Sequence, residues 1–119
     1  MSQDQQRLVD YLQHIVKAIA RIQRYIDDCD ENNFLTNELV QDAVIRNLEV
    51  VGEASKNINK HFPAFVREHP NVPFLIAYEM RNALAHGYFK VDYEVVWRTI
   101  ERDLPELELL INKLLLELE

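Results

Sequence analysis

Apolar residues recur every three to four positions over the first thirty residues. Such spacing places the apolar side chains along one side of an α-helix and is sustained here over three heptads. The pattern predicts a helix over residues 4 to about 29 that packs nearly antiparallel against another long helix. The apolar positions recur at spacings of four and three, at Leu8, Leu12, Ile15, Ile19, Ile22, Ile26 and Cys29.

A second periodic segment follows a polar turn predicted at residues 30–33. Thr36 or Asn37 can cap the next helix, with Glu38 in its first turn, and the helix is expected to run to about residue 60. Gly52 in its middle costs about 1 kcal/mol relative to alanine, which is tolerated where another backbone or a ligand approaches closely. We favour close packing. The apolar stripe of this helix is Val40, Val44, Leu48, Val51 and Ile58.

Prolines set the boundaries in the middle of the chain. The second helix is expected to end near His61, because Pro63 follows closely, and one short turn is predicted over residues 64–68. Pro73 suits the first turn of a further helix, predicted over residues 74 to about 85. Its candidate core positions are Leu75, Tyr78 and Leu84.

A last helix, capped by Asp92, is predicted in the C-terminal part. Pro105 cannot donate an amide hydrogen to the preceding turn, so this helix is expected to kink or split near Leu104. Trp97 is expected to be buried. The apolar stripe comprises Val96, Ile100, Leu104, Leu107, Ile111, Leu114 and Leu118. With no strand pattern and no glycine-rich loop, the predicted fold is all-α, an up-and-down bundle of four to five helices.

The composition fits a single helical domain over residues 1–119. Apolar residues make up 48% and charged residues 28% of the chain, with only two Gly and four Pro. Cys29 is the only cysteine, so no intramolecular disulfide can form, which fits a reducing cytosol. No stretch resembles a signal peptide or approaches the roughly 20 apolar residues of a membrane span. We therefore expect a cytoplasmic protein with no membrane contact.

The charge is unevenly distributed. The net charge of −7 argues mildly against broad nonspecific binding of nucleic acid, which depends on Lys and Arg. Six acids and no Lys or Arg fall within residues 27–42, whereas residues 46–102 carry eight basic residues and seven acids. A small RNA-cutting site could work in that nearly neutral part, but no long basic track is visible.

Residues 78–88 carry the highest density of side chains with reactive polar groups. A guanidinium, an amide, an imidazole and a phenol follow one another there, from Arg81, Asn82, His86 and Tyr88. His suits proton transfer near neutral pH, and the planar fork of Arg fits phosphate oxygens. RNA carries its own nucleophile, the 2′-OH, so such a pair could cleave RNA without a metal or cofactor.

The spacing of this pair leaves two arrangements open. Five positions apart on a helix, Arg81 and His86 point about 140° away from each other. They can converge if the helix ends near His86, with Gly87 as the terminating residue, or if they line a cleft with a second body such as another copy. The structural alternative is a packed helix end, with Arg81 paired to Glu79 or Glu53.

The motif Arg81-Asn82-x3-His86-x-Tyr88 resembles the Arg-x4-His-x-Tyr motif of HEPN domains. More specifically, the chain resembles the HepT-like toxins of prokaryotic HEPN/MNT toxin–antitoxin pairs. The likeness covers nearly the whole chain, with matching blocks at residues 42–54, 72–74, 81–92, 96–97 and 103–105.

The resemblance implies a metal-independent endoribonuclease toxin that acts on tRNA or mRNA as a homodimer. Arg81 and His86 would be catalytic, with Asn82 in support, and no cofactor or metal is implied. The partner would be an MNT-type nucleotidyltransferase antitoxin that adds AMP to Tyr88. The alternatives are a non-catalytic module that binds a nucleotide or docks a nucleotidyltransferase, and a plain helical dimerisation module.

Overall fold

The structure, a computed structural model, describes residues 2–74 and 91–118. Within those ranges all regular elements are helical, which confirms the predicted all-α class. No helix among them is long and apolar enough to cross a membrane. The elements are α1 (Gln3–Tyr25), α2 (Glu31–Thr36), α3 (Glu38–His61), α4 (Pro63–Glu68), α5 (Tyr93–Arg98), a π-helical turn (Thr99–Asp103) and α6 (Leu104–Leu118).

Helix α1 forms as predicted but ends at Tyr25 rather than near residue 29. The hydrogen bonds tighten there to a three-residue spacing, from Asp27 N–H to the Arg24 carbonyl (3.4 Å) and from Cys29 N–H to the Ile26 carbonyl (2.9 Å). Aspartates beyond the end oppose the helix dipole and have low helix propensity. The apolar seam thus continues into the turn, with Ile26 and Cys29 half-buried.

Helix α2 lies where only a polar turn at residues 30–33 was predicted. The Asp30 side chain caps it by accepting from Asn33 N–H (2.8 Å). Its one buried side chain is Phe34, which is fully enclosed. Asn37 then caps α3 by accepting from Val40 N–H (3.1 Å), which decides between the two candidate capping residues.

The core lies where α1 packs against α3 on one side and α6 on the other. Gln5 near the start of α1 donates a hydrogen bond to the Leu118 carbonyl at the end of α6 (3.2 Å), so these two helices run antiparallel. Gly52 is buried in mid-α3, consistent with the close packing predicted there. The fully enclosed side chains include Leu12, Ile15, Ile19, Ile22, Val44, Ile58 and Ile111.

The last helix is interrupted before Pro105, as predicted, and the interruption is a π-helical turn. Leu104 N–H reaches back to the Thr99 carbonyl, one residue further than in an α-helix. The turn ends at Asp103, and α6 begins at Leu104 with Pro105 in its first turn. Proline is tolerated there because the first amides of a helix need no partner within it.

Candidate functional site

The four residues of the motif, Arg81, Asn82, His86 and Tyr88, lie outside the described residues, as do the predicted core positions Leu75, Tyr78 and Leu84. The structure describes the chain on both sides of that interval, residues 75–90. Those flanking residues, together with the face of α3 that carries Glu53, therefore define the surroundings of the site.

The preceding flank is fixed in the core. Val72 and Phe74 are both buried, and Phe74 N–H donates to the Val72 carbonyl (2.9 Å). The Phe74 ring packs on that of Phe65 in α4, with ring centroids 6.3 Å apart. The His69 ring lies 4.3 Å from the Phe65 ring, and its Nδ1 is 2.8 Å from the Phe65 carbonyl oxygen. This partly buried histidine therefore interacts locally, with Phe65 four residues earlier.

The following flank is fixed by a helix cap and an aromatic contact. Asp92 Oδ1 accepts from Glu94 N–H (3.0 Å) and Val95 N–H (3.3 Å), as its predicted capping role requires. Tyr93 then lies edge-on against Phe34, with ring centroids 6.3 Å apart. Both ends of the motif interval are therefore held by side-chain contacts to the bundle.

Helix α3 presents two carboxylates beside a groove of about 400 Å³ between α1 and α3. Glu49 lies 4.0 Å from Arg46, a partly exposed pair that contributes little to stability. His14 is exposed and packs edge-on to Tyr11. The remaining lining residues are Val50, Glu53, Ala54 and Asn57.

Across residues 2–74 and 91–118, no three His, Cys, Asp or Glu side chains are grouped so as to hold a metal ion. Cys29 is half-buried and its thiol lies 3.9 Å from the Tyr25 carbonyl oxygen, at the end of the apolar seam.

A family model described as ribonuclease HepT-like matches residues 15–114, an interval that contains the motif and both flanks. The chain belongs to this family. The ribonuclease HepT-like family is a family of RNA-cleaving enzymes, so the prediction of an RNase-type enzyme is confirmed at the level of the family.

Individual relatives agree with the assignment. A protein of Thermococcus cleftensis named "Probable ribonuclease HepT" is 42% identical over 105 residues, covering 88% of this chain and 93% of that protein. A Methanocaldococcus jannaschii protein named as a "Putative RNase" is 38% identical over 110 residues, 92% of this chain and 91% of its own length. A Caldanaerobacter subterraneus protein with the same kind of name is 33% identical over 105 residues, 88% and 91% of the two chains. No solved structure matches the chain.

One group of residues was missed by the sequence analysis. Lys17, Arg21 and Arg24 are all exposed on α1, and with Gln23 and Asp27 they border an open depression of about 620 Å³. The signal that could have found them is their spacing of four and three, the same as that of the apolar seam but on the opposite side of the helix. The three residues do not form a continuous basic run in the sequence.

Proposed function

We propose that this ribonuclease HepT-like protein is a metal-independent endoribonuclease that acts as the toxin of a HEPN/MNT toxin–antitoxin pair in the cytoplasm. The observation that carries the proposal is the family match over residues 15–114, which encloses an intact Arg81, Asn82, His86 and Tyr88 set.

The chemistry needs only groups that the motif supplies. The 2′-OH of the substrate attacks the adjacent phosphorus while the bond from phosphorus to the 5′-oxygen breaks. His86 accepts the proton of the 2′-OH or donates one to the leaving oxygen. Arg81 neutralises the charge that develops on the phosphorane, and Asn82 positions one of the reacting groups. The products carry 2′,3′-cyclic phosphate and 5′-hydroxyl ends.

A homodimer would complete the site. Because Arg81 and His86 diverge by about 140° on a straight helix, a second copy offers a way for both groups to face one cleft. The contacts of Phe74 and Tyr93 with the bundle, on either side of the motif interval, are consistent with a site supported by the helices.

Tyr88 is proposed as the point of control. An MNT-type nucleotidyltransferase antitoxin would transfer AMP to its phenol oxygen, releasing pyrophosphate from ATP. The added group is bulky and anionic and lies two positions from His86 in the sequence. It would obstruct RNA and repel its phosphates.

The test is cleavage of total tRNA and mRNA in the presence of EDTA by protein made without a partner and shown by mass spectrometry to be unmodified at Tyr88. We expect His86→Ala to lower the rate by about 10²- to 10⁴-fold. His61→Ala is the matched control, because His61 is exposed at the end of α3. Equal rates for wild type and His86→Ala would refute the assignment, and absence of cleavage by the unmodified wild type would favour the non-catalytic binding module.

A further inference from the structure

The exposed side of α1 carries an ordered set of cations. Lys17, Arg21 and Arg24 project from an arc of about 60° and span a rise of about 10 Å along the helix axis. All three are exposed, while the seam residues Ile15, Ile19 and Ile22 on the other side are fully buried. We call these three residues the cationic face of α1.

Within the described part of the chain, no carboxylate forms an ion pair with this face. The one ion pair found in residues 2–74 and 91–118 joins Arg46 to Glu49, both in α3. Glu108 of α6 accepts a hydrogen bond from Gln23 (3.4 Å). Asp27 borders the same depression at its C-terminal end without pairing to the cations. The face therefore presents three available guanidinium and ammonium groups in a protein of net charge −7.

A further cation, Arg7, is exposed on the same side towards the start of α1, although Asp10 lies on that side as well. The hydrogen bond from Arg7 to the Tyr11 hydroxyl (3.3 Å) raises the pKa of the guanidinium. Because Asp10 reduces the positive charge of this part, the strongest cationic segment is the three-residue face itself.

We propose that the cationic face of α1 binds the phosphate backbone of the RNA substrate, outside the cleavage motif. This inference rests on the proposed function. Arg and Lys contact phosphate oxygens without reading bases, so the face would hold the strand in register rather than choose its sequence. In an acidic protein such a face would locally offset the net negative charge, which repels RNA at long range.

The geometry favours an RNA-binding role for the cationic face over that of an ordinary solvent-exposed surface. Because α1 is packed on its other side, the Cα positions of the three residues are held at fixed separations, and their long side chains can reach phosphates of one strand. Each phosphate contact releases counterions and so makes binding salt-dependent, with a slope of roughly 0.7 per contact for a single strand. A merely solvated face would contribute nothing to this slope.

The test measures binding of a fluorescent single-stranded RNA with 2′-O-methyl groups, which cannot be cleaved because the nucleophile is blocked. The triple variant Lys17→Gln, Arg21→Gln, Arg24→Gln removes the charges and keeps good helix formers. The matched control carries Lys60→Gln, Arg67→Gln and Arg102→Gln, three exposed cations outside α1 with the same loss of charge. Circular dichroism confirms that each variant is folded, and Arg21→Lys with Arg24→Lys tests whether charge suffices.

We expect the triple variant to lower the salt slope by about two, so that raising salt from about 50 to 200 mM weakens wild-type binding some 15-fold more than it weakens the variant. The control and the Lys variant should keep the wild-type slope. Equal slopes for triple variant and control would overturn the proposal, as would failure of the wild type to bind RNA. If the triple variant bound RNA as the wild type does but no longer bound a protein partner, the proposal would also be overturned. The face would then be a protein-docking surface.

Cleavage measured in parallel separates this inference from the proposed function. A wild type that cleaves RNA, together with unchanged salt slopes, removes only the role of the cationic face. A wild type that binds RNA through α1 but cleaves none removes only the ribonuclease assignment.

Discussion

The indole ring of Trp97 lies against the phenyl ring of Phe34, with centroids 5.4 Å apart and planes inclined by 34°. This contact joins α5 to α2, a helix of six residues. Tyr93 packs edge-on against the same phenyl ring. Phe34 is therefore the anchor on which α5, the helix that follows the motif interval, packs.

Truncation of this anchor should be among the costliest changes in the protein. Phe34 is 0% exposed, so we expect Phe34→Ala to lower the free energy of unfolding by about 3–5 kcal/mol through lost burial and the cavity left behind. Leu39→Ala is the control, because Leu39 is 80% exposed and its truncation should change stability by less than about 0.5 kcal/mol. Urea denaturation measures both, and similar losses for the two variants would contradict the anchoring role.

The long helices were predictable because their apolar periodicity is strong. The seam from Leu8 to Ile22 and the α3 stripe from Val44 to Ile58 are buried as their spacing indicated. Helix α2 was not predictable from its spacing, since six residues give fewer than two turns and only Phe34 is buried. Its cap, Asp30, was present in the sequence, but a capping residue without a periodic stripe also describes a plain turn.

The cap at Asp92 gives a second prediction. Asp92→Ala removes the acceptor for Glu94 N–H and Val95 N–H and should lower the free energy of unfolding by about 1 kcal/mol. Asp92→Asn retains a side-chain oxygen and should lose far less. Thermal unfolding of the two variants checks this, and equal losses would mean that the carboxylate charge rather than the cap bond stabilises α5.

A third prediction concerns the π-helical turn. Because α6 restarts at Leu104, the amide that Pro105 lacks is one that the helix does not need, and Pro105→Ala should change the free energy of unfolding by less than about 1 kcal/mol. Leu109→Pro places the same residue in the interior of α6 and should cost about 3 kcal/mol or more.

Leu109 suits this comparison because its side chain is 72% exposed. Leu109→Ala therefore reports the small loss of side-chain contact, and the difference between the alanine and proline variants isolates the backbone effect. A large stabilisation by Pro105→Ala would show that the π-helical turn is strained by the proline rather than suited to it.

The candidate site was predictable to a different degree from the fold. Arg81 and His86 stand out in the sequence because few short intervals combine a phosphate-binding fork with a titratable imidazole. The cationic face of α1 is not apparent from the charge along the sequence, because Asp27, Asp28 and Asp30 follow its three basic residues closely. On a helical projection Lys17, Arg21 and Arg24 fall within about 60° of one another, and Asp27 and Asp30 fall outside that arc. Asp28 would fall inside it, but α1 ends at Tyr25, before that residue. A contribution from a second copy depends on contacts between chains, which the periodicity within one chain does not encode.

The proposed shared cleft makes a fourth prediction, which uses mixtures of two inactive variants. Arg81→Ala and His86→Ala should each lose cleavage as separate homodimers, because each lacks one of the two required groups in every site. After mixing under conditions that allow subunit exchange, mixed dimers hold one intact Arg81 and one intact His86 on different chains. If one cleft draws on both copies, cleavage should return in proportion to the fraction of mixed dimers, and that fraction can be measured by native mass spectrometry. Mixed dimers that form but stay inactive would show that each copy needs its own pair, and the second chain would then contribute no catalytic group to its partner's site.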